Sequence, residues 1–379
     1  MKSLFTALLI FLVFAAPSFA QKKTKTNNET AHEFTEAAEK GDLKKLAAML
    51  DKGVDVNIEA WQGWSALTAA ATYGRADSIR FLISRGANVK IRMGDGDTTL
   101  IQSAQHDNNG EIVRLLIEAG AEIDAQNKEG LTALMRFAWM GQTEAVEAVL
   151  KAGADTKLKN IGGYTAFRFA VAWGNTDIVR LLLPFETDLN RKDEKGLTPL
   201  MWTASKDRKD ALSVLIAAKA DVDLQDNEGQ TALMKAGQKL FQTDVKILLG
   251  AKAGVNIKDK KGWTALMHAS ASRFGDWEFG AHGDGMMNWL TAVRIIDALA
   301  AAGADVSAQN KDGDTALILA VKSQNTHFAE NLVKNGADPN IKNSDGKRAI
   351  DYVSKEYGRR KTWIIGPDMN ILKILGTNK

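Results

Sequence analysis

Cysteine is absent from the 379 residues. That removes disulfides, thiolate nucleophiles and cysteine metal cages, and with them the lipid-bearing cysteine of a bacterial lipoprotein. Neither sign of charge dominates, since 49 basic residues face 46 acidic ones and the net charge is +3. The charges are interspersed, so there is no electrostatic footprint for nucleic acid. The one dense basic run, Arg359-Arg360-Lys361, reads as a solvated turn. Long hydrophobic runs are missing too. The best is Leu4 to Phe14, shorter than the ~20 apolar residues that span a bilayer as a helix.

That run has another use. Lys2 precedes it, and Ser18-Phe19-Ala20 follows with small residues at the −3 and −1 positions. Residues 1–20 therefore read as a signal peptide cleaved after Ala20, the alternative being an uncleaved anchor. The polar stretch 21–30, "QKKTKTNNET", is expected to be a disordered linker. A periplasmic or secreted location follows, with no membrane insertion after cleavage. An exported chain of this size can dispense with disulfides if its core is extensive.

What is present in quantity is repetition. "GWSAL" (63–67), "GDTTL" (96–100), "GLTAL" (130–134), "GYTAF" (163–167), "GLTPL" (196–200), "GQTAL" (229–233), "GWTAL" (262–266), "GDTAL" (313–317) and "GKRAI" (346–350) recur. Their spacing is 33 or 34 residues throughout, except for one gap of 51. A second element keeps the same phase, as in "RFLISRGANV", "RLLIEAGAEI" and "ALAAAGADV". Each is an amphipathic helix stopped by a glycine that can turn left-handed. Between the two elements a short helix begins at the Thr, whose hydroxyl can cap it.

Period, turn, both helices and the Gly-Ala-Asp close resemble the ankyrin repeat. The resemblance runs from about Ala31 to Leu375. It implies an all-α solenoid of helix-turn-helix repeats with β-hairpin-like turns, about ten repeats including caps, over residues 31–376. Only Thr198-Pro199-Leu200 keeps the family proline. The family histidine is replaced by Thr68, Ile101, Met135, Arg168, Met201, Met234, Met267 and Ile318, which suggests apolar packing between repeats. "EFTEAAEKGDLKKLAAMLDKGVDVN" reads as a polar-faced N-terminal cap. At the other end "GRRKTWIIG" interrupts the final repeat, and Pro367 opens a last helix over 368–375.

The 51-residue gap is one period with eighteen residues added. They fall at 273–290, "RFGDWEFGAHGDGMMNWL", between the two helices of one repeat. Insertions of this kind form loops because loops leave the stacked core intact. Phe274, Trp277, Phe279 and Trp289 within it either fold back on the scaffold or meet a partner. Asp276, Glu278, His282 and Asp284 match no known metal cage.

Chemistry-bearing motifs are lacking. The five histidines, at 32, 106, 268, 282 and 327, are spread over four repeats, and none has a nucleophile or carboxylate at a catalytic motif spacing. "GDGD" (94–97) falls in the phase of a turn tip, and Asp221-Val222-Asp223 falls on the repeat's close. In proteins similar to this one a concave face is made by turn tips, by the residue after the motif glycine and by the end of the short helix. Those phases carry Trp61, Trp64, Tyr73, Leu131, Trp139, Met140, Tyr164, Trp173, Leu197 and Trp263. Such residues are enriched in protein interfaces. The expectation is an exported, monomeric binding module without cofactor or metal. It docks another protein in that groove, with the insertion at its edge, and inhibits or escorts a periplasmic enzyme such as a cell-wall hydrolase. The alternative is an enzyme that draws acid and base from Asp276, Glu278 and His282.

Overall fold

The computed structural model describes residues 20–107, 109–272, 287–353 and 375. Among them are eighteen α-helices and no strand. Two compact units divide the chain after Gly162.

Unit 1 holds α1 (Ala20–Lys40), α2 (Leu43–Asp51), α3 (Ala66–Thr72), α4 (Ala76–Ser84), α5 (Thr99–Gln102), α6 (Gly110–Glu118), α7 (Ala133–Met140) and α8 (Thr143–Lys151). A short inner helix alternates with a longer outer one. The inner helices start where a hydroxyl accepts a backbone N–H three residues on. Ser65, Thr98 and Thr132 cap α3, α5 and α7 in this way, satisfying donors that a helix start leaves free. Inner helices are short and rich in alanine, and α3 is buried along nearly its whole length. α1 packs on α2 and α3, and α4 on α6. The core runs through Phe34, Leu46, Leu67, Leu82, Leu100, Leu116, Leu134 and Phe137.

Unit 2 repeats the plan in α9 (Ala166–Trp173), α10 (Thr176–Leu182), α11 (Pro199–Ala204), α12 (Lys209–Ala217), α13 (Ala232–Gln238), α14 (Gln242–Gly250), α15 (Ala265–Ala271), α16 (Met287–Ala301), α17 (Ala316–Lys322) and α18 (Thr326–Lys334). Thr165, Thr198, Thr231, Thr264 and Thr315 are the caps. The methionines that replace the family histidine are buried here, as apolar packing requires. Met201 and Met234 also have a polar contact, because their sulfurs face the N–H groups of Thr198 and Thr231.

Turns between repeats are hairpin-like. In unit 1, Glu59 bridges Ser65 and Arg92 bridges Thr98 in antiparallel fashion. The closing Asp or Asn of one repeat accepts a backbone N–H from the next. Asn57 takes that of Asn88 and Asp124 that of Asp155 in unit 1. In unit 2, Asn190 takes that of Asp221 and Asp223 that of Gly254. Asp221 and Asp223 are therefore structural.

The structure departs from the sequence reading at both edges of the repeats. Helix α1 begins at Ala20 and runs through the expected disordered linker 21–30. Extending a helix already nucleated costs little per residue. Asn27, Asn28 and Glu29 on it are exposed, so no apolar period marks the extension. Helix α16 begins at Met287, so the last four residues of the expected loop 273–290 are helical. Residues 273–286, the expected signal segment up to residue 19 and the stretch 354–374 lie outside the described residues.

Candidate protein-interaction face

The first turn tip is fixed by two backbone hydrogen bonds before any side chain is placed. At the first tip Ala60 N–H donates to the Trp64 carbonyl and Trp64 N–H to that of Trp61. Gly63 has φ +82° there, and an added Cβ would lie 2.3 Å from the Arg92 carbonyl oxygen. The tight turn brings Trp61 and Trp64 into a stack, 5.9 Å between ring centroids. Trp61 keeps 49% of its surface exposed, and Trp64 is half-buried. Tyr73, which caps the end of α3, is 46% exposed. At the end of α7, Met140 is exposed and Trp139 half-buried, with the Arg136 guanidinium 5.5 Å from the Trp139 ring centre. Leu131 differs from its expected role. It is buried, so it supports the turn from inside and presents nothing outward.

In unit 2, Tyr164 is exposed at its turn, and Trp173 is half exposed at the end of α9. Arg168 lies between rings, 4.6 Å from Tyr164 and 4.8 Å from Trp202. Such cation–π pairs fix aromatic planes without hiding them. Leu197 and Trp263 are half-buried. Phe274, Trp277 and Phe279 lie outside the described residues, as do Asp276, Glu278, His282 and Asp284. Trp289 lies on α16, its side chain outside the described set.

Beneath these turns lies a row of buried acid–base contacts that the sequence reading missed. An Asp or Asn five residues before the capping Thr accepts two backbone N–H groups of its own turn, as Asp226 does from Glu228 and Gln230. In three repeats of unit 2 its other carboxyl oxygen meets a side chain nine residues on. Asp226 pairs with Lys235 at 2.6 Å, Asp259 with His268 at 2.9 Å, and Asp193 with Trp202 at 3.2 Å. His268 thus has a carboxylate after all, at a spacing set by the repeat and not by a catalytic motif. Trp263 covers it, 5.2 Å between centroids. Burial lowers the His268 pKa and Asp259 only partly offsets that, so the imidazole is neutral near pH 7 and serves the packing. Burial raises the Asp193 carboxyl, but the Leu197 N–H, Arg168 and Trp202 outweigh it and hold the group below its usual range. In unit 1, Asp97 of the "GDGD" turn points inward and is buried. Asn127, Gln102 and Arg136 bond it, yet burial leaves its carboxyl raised.

Three exposed apolar residues were also missed, the first of them Leu43 at the start of α2. Ile161 is 81% exposed at a turn tip of unit 1, and Phe185 is exposed in unit 2. The signal for Phe185 was the sequence "LPFETD", where a Gly-Ala-Asp close is due. Among the described residues, no three His, Asp or Glu side chains converge on a possible metal position. No described helix is long and apolar enough to cross a membrane.

The repeat signature found from the residues is shared with known proteins. Family patterns described as "Ankyrin repeats (3 copies)" match overlapping stretches within 34–276, and one described as "Ankyrin repeats (many copies)" matches 299–353. This chain belongs to the ankyrin-repeat family. It is 31% identical over 121 residues to the mouse "Ankyrin repeat, SAM and basic leucine zipper domain-containing protein 1", covering 31% of this chain and 25% of that protein. The human counterpart is 28% identical over 119 residues, with the same shares covered. An L-asparaginase of Dirofilaria immitis is 31% identical over 108 residues, 28% of this chain and 18% of that enzyme. The chain thus spans a quarter or less of these relatives' length.

Proposed function

We propose that this chain is an exported protein–protein interaction module, the role that its ankyrin repeats imply. It docks a partner protein on the face made by turn tips and inner-helix ends, and inhibits or escorts an enzyme of the cell envelope. The exposed aromatics carry this reading. Trp61 and Tyr73 in unit 1, and Tyr164 and Trp173 in unit 2, leave large apolar surface in water at phases that no helix packing demands. Rigid aromatic side chains are the usual anchors of protein interfaces. Export rests on the short apolar run Leu4 to Phe14 and on the small residues Ser18 and Ala20 that follow it. The L-asparaginase likeness lends no activity, because it covers a small share of that enzyme and falls on repeat sequence.

Affinity capture from envelope extract, followed by mass spectrometry, tests the reading. A protein retained by the wild type and lost from a Trp61→Ala, Trp173→Ala double variant that melts normally supports it. Retention by both proteins sends the interface elsewhere. Intact mass from the native host tests export. The expected species begins at Gln21, and a full-length cytosolic species overturns export.

A further inference from the structure

Five consecutive outer helices, α4, α6, α8, α10 and α12, carry an acid at their second position, where it favours the helix start. Asp77, Glu111, Glu144, Asp177 and Asp210 stand there, all exposed. The third position is buried and holds Ser78, Ile112, Ala145, Ile178 and Ala211. Helix α14 breaks the pattern by one residue. Thr243 takes the exposed second position, and the acid, Asp244, falls at the third. One residue along a helix is a rotation of about 100°, which turns the carboxyl from water into the core. Asp244 has no exposed surface, and neither of its carboxyl oxygens has a hydrogen-bond partner.

Helices α12, α13 and α16 pack against α14. The charges that reach the carboxyl come from one direction. Asp207, in the α11–α12 turn, repels it, and Lys209, the first residue of α12, attracts it more weakly. Among the described residues, no charged group of α13 or α16 acts on it. A neutral acid is tolerable in such a place, whereas an unpaired carboxylate is not. Burial first, and Asp207 second, push the Asp244 carboxyl up to about 7.

Among the described residues, the surrounding segment also holds four of the six non-glycine residues with a left-handed backbone. Asp207, Lys219, Leu240 and Lys252 have φ between 55° and 71°, a region that costs a side chain about 1–2 kcal/mol. Nearest-neighbour arrays open first where local terms are weakest.

We propose that Asp244 is a proton-dependent latch. Protonated, it lets the α13–α14 repeat sit against α12 and α16, and deprotonated, it opens the first turn of α14 and loosens that repeat locally. The sign follows from linkage. An unfolded Asp ionises near 3.8, so at mildly acidic pH the folded chain holds a proton that the unfolded chain has lost. The latch's stabilisation is complete below about pH 4, declines as pH rises through about 7, and stays lost above it.

The test uses the full chain and Asp244→Ala, a residue already accepted at this phase in Ala145 and Ala211. Thermal midpoints are recorded from pH 5 to 8. The wild type should lose several degrees relative to Asp244→Ala across that range, with the gap flattening above pH 7. After correction for intrinsic exchange, amide protection in α14 should fall at least tenfold more in the wild type than in the variant. Parallel curves in the two proteins overturn the proposal. The Asp244 carboxyl is also titrated by carbon-13 NMR in the wild type, and this decides alone if the variant fails to fold. A midpoint near 7 supports the latch and one near 4 overturns it.

Discussion

In unit 1 the left-handed residue that ends a helix is glycine at 41, 53, 74, 86, 120, 141 and 153. In the α11–α14 segment of unit 2 the same phases hold Asp207, Lys219, Leu240 and Lys252. Hydroxyl caps, hairpin-like turns and buried helix faces are alike in the two regions. The residue type at the left-handed stops and the buried carboxyl of Asp244 set them apart. A repeat fold therefore fixes geometry uniformly but spreads stability unevenly, because each repeat contributes its own local term. The exposed aromatics divide in the same way. They occupy the inner-helix ends and turn tips of unit 1 and the first repeat of unit 2. The corresponding inner-helix ends of the α11–α14 segment are Ser205-Lys206 and Gln238-Lys239.

The comparison is broken most severely at a glycine that has both a left-handed backbone and a close neighbour. Gly63→Ala places Cβ 2.3 Å from the Arg92 oxygen and 2.7 Å from Met93 Cα. Both are backbone atoms, so relief requires the turn itself to move. The expected loss is about 3 kcal/mol of stability, read as a lowered thermal midpoint. It should also unstack Trp61 from Trp64, visible in near-ultraviolet circular dichroism.

Next in size is the binding effect. Trp61→Ala and Trp173→Ala should each weaken partner binding about thirtyfold, since hot-spot truncations cost about 2 kcal/mol. Because each indole is already half exposed, melting should change little. Trp139→Ala is the contrasting case, as Trp139 is half-buried beneath Arg136. A loss of stability there with binding intact per folded molecule would make it a packing residue.

The repeat period, the capping Thr and the glycine stops could all be read from the residues, because each rests on contacts within one repeat. The buried carboxylates could not. Asp226 and Asp259 look like solvated turn residues until the neighbouring repeat covers them, and their partners lie nine residues away, a spacing tied to no catalytic motif. Leu131 failed for the same reason, since its phase is exposed in Tyr164 and buried in its own repeat. Asp244 was hidden by a slip of one residue. An acid in the first turn of a helix reads as favourable, and only the helix phase shows that this one faces inward.

The smallest effect is the one that isolates the backbone. Gly120 and Gly153 of unit 1 have φ +89° and +90°, with no atom within 4 Å of where a Cβ would stand. Alanine at either position meets no clash, so its cost is conformational alone. Lys219 and Lys252 are the same phase in the strained segment, and both side chains are exposed. Replacing either by glycine relieves the left-handed strain and loses no packing. The unfolded chain gains freedom in return, which offsets ~0.4–1 kcal/mol. Gly153→Ala should therefore cost about 1 kcal/mol, while Lys219→Gly should gain about 0.5 kcal/mol, against a strain of ~1–2 kcal/mol per residue. At ~2–4 °C per kcal/mol for a chain of this size or smaller, differential scanning calorimetry should place the two variants on opposite sides of the wild type. Shifts of the same sign would mean that the difference between the two regions lies in their packing and not in their turns.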